Sequence, residues 1–317
     1  MSRHRHALPQ LGDALFLTDS GLETTLVFHE RLALPCFAAF MLLRDEAGTE
    51  TLRRYFRRHL ELGVERRVGM VFETPTWRAN PDWGARLGCD AGALTEANRR
   101  SVELLVRLRD EAGPAAPPVV ISGNLGPRDD GYRADRRMTA AAARDYHAAQ
   151  VRVFAGSAAD LVSAFTLNYV EEAVGVALAA RDAGMPAVLS FTVETDGRLP
   201  SGQALGEAIE ETDAATGGHP AGYLINCAHP AHFMATLRGG GAWRNRLRGV
   251  RANASRRSHA ELDESTDLDI GDPAALGADF RALRELLPQL TVLGGCCGTD
   301  IRHLAAILEA CHAPRAS

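Results

Sequence analysis

The segment DLVSAFTLNYVEEAVGVALAARDAGMPAVLSF, residues 160–191, predicts a strand, a helix and a second strand in succession. Residues 187–191, AVLSF, form a short continuous run, as expected for a strand that is buried on both faces, and residues 160–165 are predicted as the preceding strand. Residues 171–183 between them predict a helix. Gly184 and Pro186 mark its end, because glycine accepts a left-handed cap and proline cannot continue a helix.

The same alternation runs through the rest of the 317-residue chain. Strands are predicted at residues 14–18, 68–73, 119–123, 160–165, 187–191, 222–226, 249–252 and 291–294. Helices are predicted at residues 50–62, 95–111, 139–156, 171–183, 202–216, 231–238, 273–287 and 300–310. Eight such repeats favour an α/β fold of the (β/α)8 TIM-barrel type, as a single domain over residues 1–317. An open doubly wound sheet is the alternative, but no G-x-G-x-x-G dinucleotide signature follows the first strand.

The composition is that of a globular protein, with 46% hydrophobic and 24% charged residues. A net charge of -5 gives no basic surface, which argues against a nucleic-acid partner. The N-terminus lacks the apolar core of a signal peptide, and no apolar run reaches the roughly 18 residues that cross a bilayer. We therefore expect a cytoplasmic protein without a membrane partner, and a homo-oligomer is compatible with the sequence.

In a barrel of this type, functional residues lie on the rim formed by the carboxyl ends of the strands. Polar segments follow seven of the predicted strands, at residues 19–23, 73–75, 124–127, 192–194, 226–230, 253–255 and 294–299. Three of the six cysteines, Cys227, Cys296 and Cys297, lie in these segments. Strands six and eight are separated by one strand, so the loops after them can meet above the barrel mouth.

These three cysteines predict a zinc site. The glycines beside Cys296 and Cys297 permit the tight backbone bend that would turn adjacent cysteines toward one ion. Three thiolates suit zinc, and three protein ligands leave the fourth position open, as in catalytic sites. If a substrate thiol fills that position, zinc favours the nucleophilic thiolate, which can attack a methyl group on a sulfonium or ammonium donor.

Two other interpretations stay open from residue chemistry alone. One is a buried cysteine pair beside glycines that backbone shape requires, and the other is a structural Cys3His site completed by His229 or His303. Cys36, Cys89 and Cys311 are expected to be packing residues. A disulfide framework is not expected, because six cysteines are few and a reducing cytosol would not keep them oxidised.

The segment Gly-Gly-Cys-Cys-Gly-Thr at 294–299, with Asn226-Cys227 ahead of a proline, resembles the homocysteine S-methyltransferase family. The resemblance covers nearly the whole chain, from Leu17 to Thr299. It implies a (β/α)8 barrel in which Cys227, Cys296 and Cys297 bind Zn2+ and the zinc binds the sulfur of homocysteine.

The resemblance also implies substrate-binding residues. Asp19 and Ser20 match a family pair that lies against the amino-acid part of homocysteine, where Asp19 would hold the ammonium group or act only as a turn residue. Glu73, Thr74 and Trp77 match a segment near the methyl donor, with packing as the alternative for Trp77. Asn226 would orient its loop or contact substrate.

Two segments depart from the family pattern. Phe165 occupies the position where the family places the glutamate that binds the homocysteine ammonium group. The family's Pro-Asn-Ser-Gly-Glu segment reads Ala-Asn-Ala-Ser-Arg at residues 252–256. Neither change touches the predicted metal ligands, but both affect the region that would recognise homocysteine.

These observations predict a zinc-dependent S-methyltransferase in methionine biosynthesis. Its partners would be a small methyl donor, with S-methylmethionine favoured, and a small-molecule thiol, with homocysteine favoured. The alternatives are the same zinc barrel acting on a different thiol, which Phe165 favours, and a non-catalytic, zinc-stabilised binding protein.

Overall fold

Eight parallel strands pair in chain order, and the first also pairs with the last, so that the sheet closes into a barrel. The computed structural model describes residues 1–312. Its strands are β1 (Phe16–Thr18), β2 (Gly69–Glu73), β3 (Val119–Leu125), β4 (Leu161–Leu167), β5 (Ala187–Phe191), β6 (Gly222–Asn226), β7 (Leu247–Ala252) and β8 (Val292–Gly295). The predicted closed (β/α)8 barrel is therefore confirmed.

Helices surround the barrel and connect its strands. They are α1 (Leu22–Thr24), α2 (Glu46–Arg66), α3 (Pro81–Arg86), α4 (Ala91–Glu111), α5 (Ala140–Ala155), α6 (Val170–Asp182), α7 (Leu205–Thr216), α8 (Pro230–Arg238), α9 (His259–Asp263), α10 (Pro273–Leu286) and α11 (Ile301–His312). Short helical turns add Pro9–Leu11, Thr25–His29, Pro35–Phe37, Ala39–Arg44 and Ala242–Arg246. Within residues 1–312, no helix combines the length and the apolarity that a bilayer crossing requires.

Local capping explains where the helices differ from the predicted ranges. Helix α2 begins earlier than predicted because the Asp45 carboxylate accepts a hydrogen bond from the backbone N–H of Gly48. Helix α7 begins later because Gly202 has a φ of 85°, which is outside the helical region. The unpredicted short helices α3 and α9 directly follow Asn80 and Ser258, whose side chains cap them.

Alternation along the strands sorts their side chains into two layers. The barrel interior is filled by Phe16, Val71, Val120, Leu161, Phe165, Val188, Leu224 and Val292. The second layer packs the strands against the helices and includes Phe72 and Val250. Glu73 and Arg251 directly follow these two outward residues, so they extend from the inner face at the carboxyl ends of β2 and β7.

Candidate active site

The three rim cysteines converge at the carboxyl ends of β6 and β8. Their Sγ atoms all lie within 4.8 Å of one another, and those of Cys227 and Cys297 are 3.9 Å apart. Cys227 and Cys296 are joined as a disulfide, with their Cα atoms 5.4 Å apart. One disulfide is thus present where no disulfide framework was expected, because the two loops bring these sulfurs side by side.

Close backbone packing holds the two cysteine loops together. The N–H of Cys227 donates to the Arg251 carbonyl at 3.0 Å, and the N–H of Cys296 donates to the Ala252 carbonyl at 2.7 Å. The predicted glycine-dependent bend is present, since Gly298 has a φ of 78° and a Cβ at Gly294 would collide with the Thr18 hydroxyl. The loops therefore fix the cysteines through β7.

The donor set fits a thiophilic metal once the disulfide is reduced. A zinc–sulfur distance of about 2.3 Å in a tetrahedral shell places two sulfurs about 3.8 Å apart. The 3.9 Å between the Cys227 and Cys297 sulfurs matches this spacing. Burial raises the pKa of the Cys297 thiol to about 11. This cysteine is therefore a protonated thiol at neutral pH unless a cation lies beside its sulfur.

The two histidines considered as a fourth ligand make other contacts. His229 caps α8, where its Nδ1 accepts a hydrogen bond from the N–H of Ala231 at 3.1 Å. His303 bonds to Asp300 and to the carbonyl of Ile270, at 3.2 and 2.8 Å. Among residues 1–312, the sulfur cluster contains the three cysteines and no histidine.

Cys227 has a φ of 52°, an unfavourable value for a residue with a side chain. Its carbonyl is held by two donors, Asn253 Nδ2 at 2.9 Å and His259 Nε2 at 2.5 Å. His259 is in turn bonded to Glu194 at 3.0 Å and packs against the ring of Tyr132. No sequence pattern indicated this support, because its members come from the separate segments after β3, β5 and β7.

Asp19 lies in the cavity beside the cysteines, but it already has a cationic partner. Its Oδ1 is 3.1 Å from Nη2 of Arg251, and both side chains are less than a tenth exposed. Its Oδ2 accepts a hydrogen bond from the Tyr55 hydroxyl at 3.3 Å. The guanidinium of Arg251 also lies 4.9 Å above the Phe165 ring. The site therefore contains a buried cation that sequence analysis missed.

Ser20 contacts the site residue Arg251 through its backbone carbonyl, whereas its hydroxyl bonds to residues of α2. The hydroxyl turns toward α2, where it bonds to His59 Nε2 at 2.8 Å and to the Tyr55 hydroxyl at 3.2 Å. The Ser20 carbonyl accepts a hydrogen bond from Arg251 Nη2 at 3.3 Å. This arrangement anchors the loop after β1 and holds Arg251 in place.

Thr74 and Asn226 both organise backbone around the cavity. The Thr74 hydroxyl accepts a hydrogen bond from the N–H of Asn124 at 2.8 Å. Asn226 Oδ1 accepts hydrogen bonds from the Thr166 N–H and the Ser190 hydroxyl, at 2.9 and 2.7 Å. These contacts agree with an orienting role for Asn226.

Trp77 lies at the cavity wall with one face already covered. Its Nε1 donates to the Thr166 hydroxyl at 2.8 Å. The guanidinium of Arg78 is 3.9 Å from the centre of the Trp77 ring and 3.7 Å from that of Trp83. An Arg78 cation thus occupies the aromatic face that the sequence suggested for a cationic donor.

Two adjacent cavities meet at the cysteines, since both are lined by Cys296 and Cys297. The inner cavity, of about 60 Å³, is bounded by the loops after β1, β2 and β8 and by Arg251. The outer cavity, of about 490 Å³, is lined by aromatic residues and by acidic residues such as Asp263, Asp267 and Asp269. Both are lined by Glu23, Thr24, Asn124, Arg251, Cys296 and Cys297. The sulfur cluster therefore lies between a small and a large compartment.

Glu73 lines the inner cavity and is 4% exposed. Burial raises its pKa from 4.5 to about 7, although Arg251 opposes this shift. Glu23 also lines the inner cavity, and burial raises its pKa to about 7 as well. The cavity therefore changes charge near neutral pH.

The raised pKa of Glu73 predicts a pH-dependent cost to folding. Between pH 4.5 and 7 the group stays protonated in the folded chain but ionises in the unfolded chain. The free energy of unfolding should therefore fall as pH rises through this window. Glu73→Gln should gain about 2 to 3 kcal/mol relative to the parent protein between pH 4.5 and 8. Urea unfolding across this range measures the difference.

Glu61→Gln, at an exposed position on α2, serves as the control and should follow the parent protein at every pH. Parallel pH profiles for Glu73→Gln and the parent would show that Glu73 ionises normally in the folded state.

The family model described as homocysteine S-methyltransferase matches residues 16–311. Three solved structures of the homocysteine methyltransferase MmuM from Escherichia coli are similar to this chain. The oxidised form is 21% identical with a TM-score of 0.71 and covers 96% of this chain and 98% of that one. The metallated form is 20% identical with a TM-score of 0.68, covering 95% and 98%.

The apo form is also 20% identical, with a TM-score of 0.61 and coverage of 96% and 98%. At these identities the likeness supports the fold alone. No curated protein matches the chain.

Proposed function

This chain belongs to the homocysteine S-methyltransferase family, and on that premise we propose that it is a zinc-dependent enzyme that methylates homocysteine to methionine. The family makes it a methyltransferase, and zinc and the donor are the parts we add. The proposed donor is a small sulfonium compound such as S-methylmethionine. The observation that carries the proposal is the set of three cysteine sulfurs within 4.8 Å, placed between two cavities.

Cys227, Cys296 and Cys297 are the residues that would hold the zinc. Bound there, zinc would supply the Lewis acidity that keeps an acceptor thiol in its thiolate form at neutral pH. Asn253 and His259 hold the Cys227 backbone in its left-handed conformation. The need for reduced cysteines is consistent with a cytoplasmic enzyme of methionine biosynthesis.

The two cavities support separate places for acceptor and donor. The inner cavity of about 60 Å³ fits a small amino-acid head group, and the outer one of about 490 Å³ fits a larger small molecule. Acidic and aromatic residues line the outer cavity, among them Asp263, Asp269 and Tyr132, and they suit a cationic sulfonium. In the transfer, the acceptor sulfur bonds to the methyl carbon while the donor carbon–sulfur bond breaks. The electron pair of the broken bond stays on the donor sulfur, and the donor leaves as a neutral thioether.

The test combines activity with spectroscopy. Reduced, zinc-loaded protein should convert S-methylmethionine and homocysteine to methionine faster than it uses betaine or a methylated folate. X-ray absorption at the zinc edge should show one additional sulfur neighbour when homocysteine is added. A protein that binds zinc but turns over no donor–thiol pair would be a binding protein, which contradicts the proposal.

A second acceptor class has one observation in its favour. Arg251 lies above Phe165, so a cation occupies the region where the family places a carboxylate for the homocysteine ammonium group. This arrangement favours a thiol that carries a carboxylate and no ammonium group. 4-Mercaptobutanoate, which is homocysteine without its amino group, tests that alternative directly.

A further inference from the structure

We propose that Glu73, at the end of β2, binds the ammonium group of an amino-acid acceptor, an assignment that rests on the proposed methyl transfer. The inference concerns how the acceptor is recognised, and it selects amino-acid thiols over simple thiol acids.

The first observation is an unpaired carboxylate oxygen. Among residues 1–312, no donor forms a hydrogen bond with Oε2 of Glu73, which is buried, although the hydroxyls of Ser122 and Ser163 lie close enough to the carboxyl group to lower its pKa. The side chain extends from the inner face of the barrel and lines the small cavity that also contacts Cys296 and Cys297. Because an unpaired buried acceptor costs about 1 to 3 kcal/mol, this oxygen is suited to a ligand that supplies an N–H group.

Other acceptors line the same cavity. Oδ1 of Asn124 and Oδ1 of Asp19 are also buried and accept no hydrogen bond from the described part of the chain, although Arg251 lies near Asp19. Acceptor oxygens from β2, β3 and the loop after β1 therefore line a cavity of about 60 Å³. A primary ammonium group carries three N–H donors on one atom, which suits such a set. A carboxylate, having only acceptors, does not.

The charge environment favours Glu73 over Asp19 as the carboxylate that binds the ammonium group. Asp19 already shares its charge with Arg251 at 3.1 Å and receives the Tyr55 hydroxyl. Glu73 forms none of the ion pairs found in residues 1–312, although Arg251 is close enough to lower its pKa. A buried carboxylate without a cation is the group that gains most from a bound ammonium, since pairing offsets its desolvation.

The small size of the inner cavity places Glu73 near the cysteines at which methyl transfer is proposed. Glu73 and the cysteines line one small compartment, so one small amino-acid thiol can contact both. Its sulfur would face Cys296 and Cys297 while its ammonium group faces Glu73. Nη1 of Arg251, for which the described residues offer no hydrogen bond, is available to the carboxylate of the same ligand.

The experiment compares ligands that differ only in the ammonium group. Binding of L-methionine and of 4-(methylthio)butanoate to reduced, zinc-loaded protein is measured by calorimetry. Initial rates are measured with homocysteine and 4-mercaptobutanoate. Glu73→Gln should weaken L-methionine binding about 10- to 100-fold, because a charge-assisted hydrogen bond is lost, and should change 4-(methylthio)butanoate binding by less than about threefold. The kcat/KM for homocysteine should fall by a similar factor.

Glu23→Gln is the matched control, because Glu23 lines the same cavity and its pKa is also raised to about 7. It should leave the preference for the amino ligands intact. Equal losses for both ligands in Glu73→Gln, or loss of the preference in Glu23→Gln, would overturn the assignment. So would a parent protein that prefers the ligands without an ammonium group.

The failure of this inference is distinguishable from failure of the proposed function. If the parent protein methylates homocysteine but Glu73→Gln weakens the binding of both ligands equally, only the assignment of Glu73 is wrong. If the parent protein prefers the ligand with an ammonium group but transfers no methyl group, only the proposed function is wrong.

Discussion

Replacing Cys297 with alanine is expected to abolish zinc retention and to lower the rate of methyl transfer about a thousandfold or more. The loss of one of three thiolates leaves too few ligands for the metal. The metal's Lewis acidity contributes several kcal/mol to such a reaction, and each 1.36 kcal/mol is a factor of about ten in rate. Metal analysis of the purified protein and initial rates measure both effects.

The barrel should stay folded in this variant. Cys297 lies on a rim loop and is only partly buried, whereas the core is formed by strand and helix residues. Cys311→Ala, on the last helix and away from the cavities, is the matched control and should keep its zinc and its activity. Unfolding of Cys297→Ala, seen by circular dichroism, would indicate a structural metal instead.

Arg251→Met is expected to lower the free energy of unfolding by about 3 to 5 kcal/mol at pH 8, since it leaves a buried carboxylate without its cation. The guanidinium pairs with Asp19 at 3.1 Å and donates to the carbonyls of Gly295 and Ser20. Its removal therefore also frees two carbonyls on the loops beside the sulfur cluster. Chemical denaturation monitored by fluorescence gives the change.

Two further variants test the cause of that loss. Asp19→Asn combined with Arg251→Met should cost less than Arg251→Met alone, because the unpaired charge is gone. Arg128→Met removes a surface ion pair with Asp82, in which both side chains are more than 40% exposed, and should cost less than about 1 kcal/mol. Equal losses in Arg128→Met and Arg251→Met would mean that the buried pair is not special.

The fold was predictable because its signals are local and repeated. Apolar runs such as residues 187–191 and stop signals such as Gly184 recur along the chain, and eight repeats limit the choice of architecture. The convergence of Cys227 with Cys296 and Cys297 followed from the same reasoning, because the carboxyl ends of barrel strands share one rim.

The contents of the cavity were less predictable because they depend on pairs that are distant in sequence. Arg251 and Asp19 are 232 positions apart, and no sequence pattern marks them as partners. Trp77 could be assigned to the cavity, but the adjacent Arg78 covers one of its faces. The Cys227–Cys296 disulfide depends on the distance between two loops, which only the folded chain sets.

The cysteines and the other cavity residues come from different strands, and this has a consequence for redesign. The sulfurs come from the loops after β6 and β8, whereas Glu73 and Phe165 come from β2 and β4. Acceptor preference could therefore be reprogrammed by exchanging these two residues while Arg251 and the sulfur loops are left untouched. A library limited to positions 73 and 165 would be small enough to screen exhaustively for new thiol acceptors. Under the proposed function, substitutions at these two positions would change acceptor choice while the three cysteines stay in place.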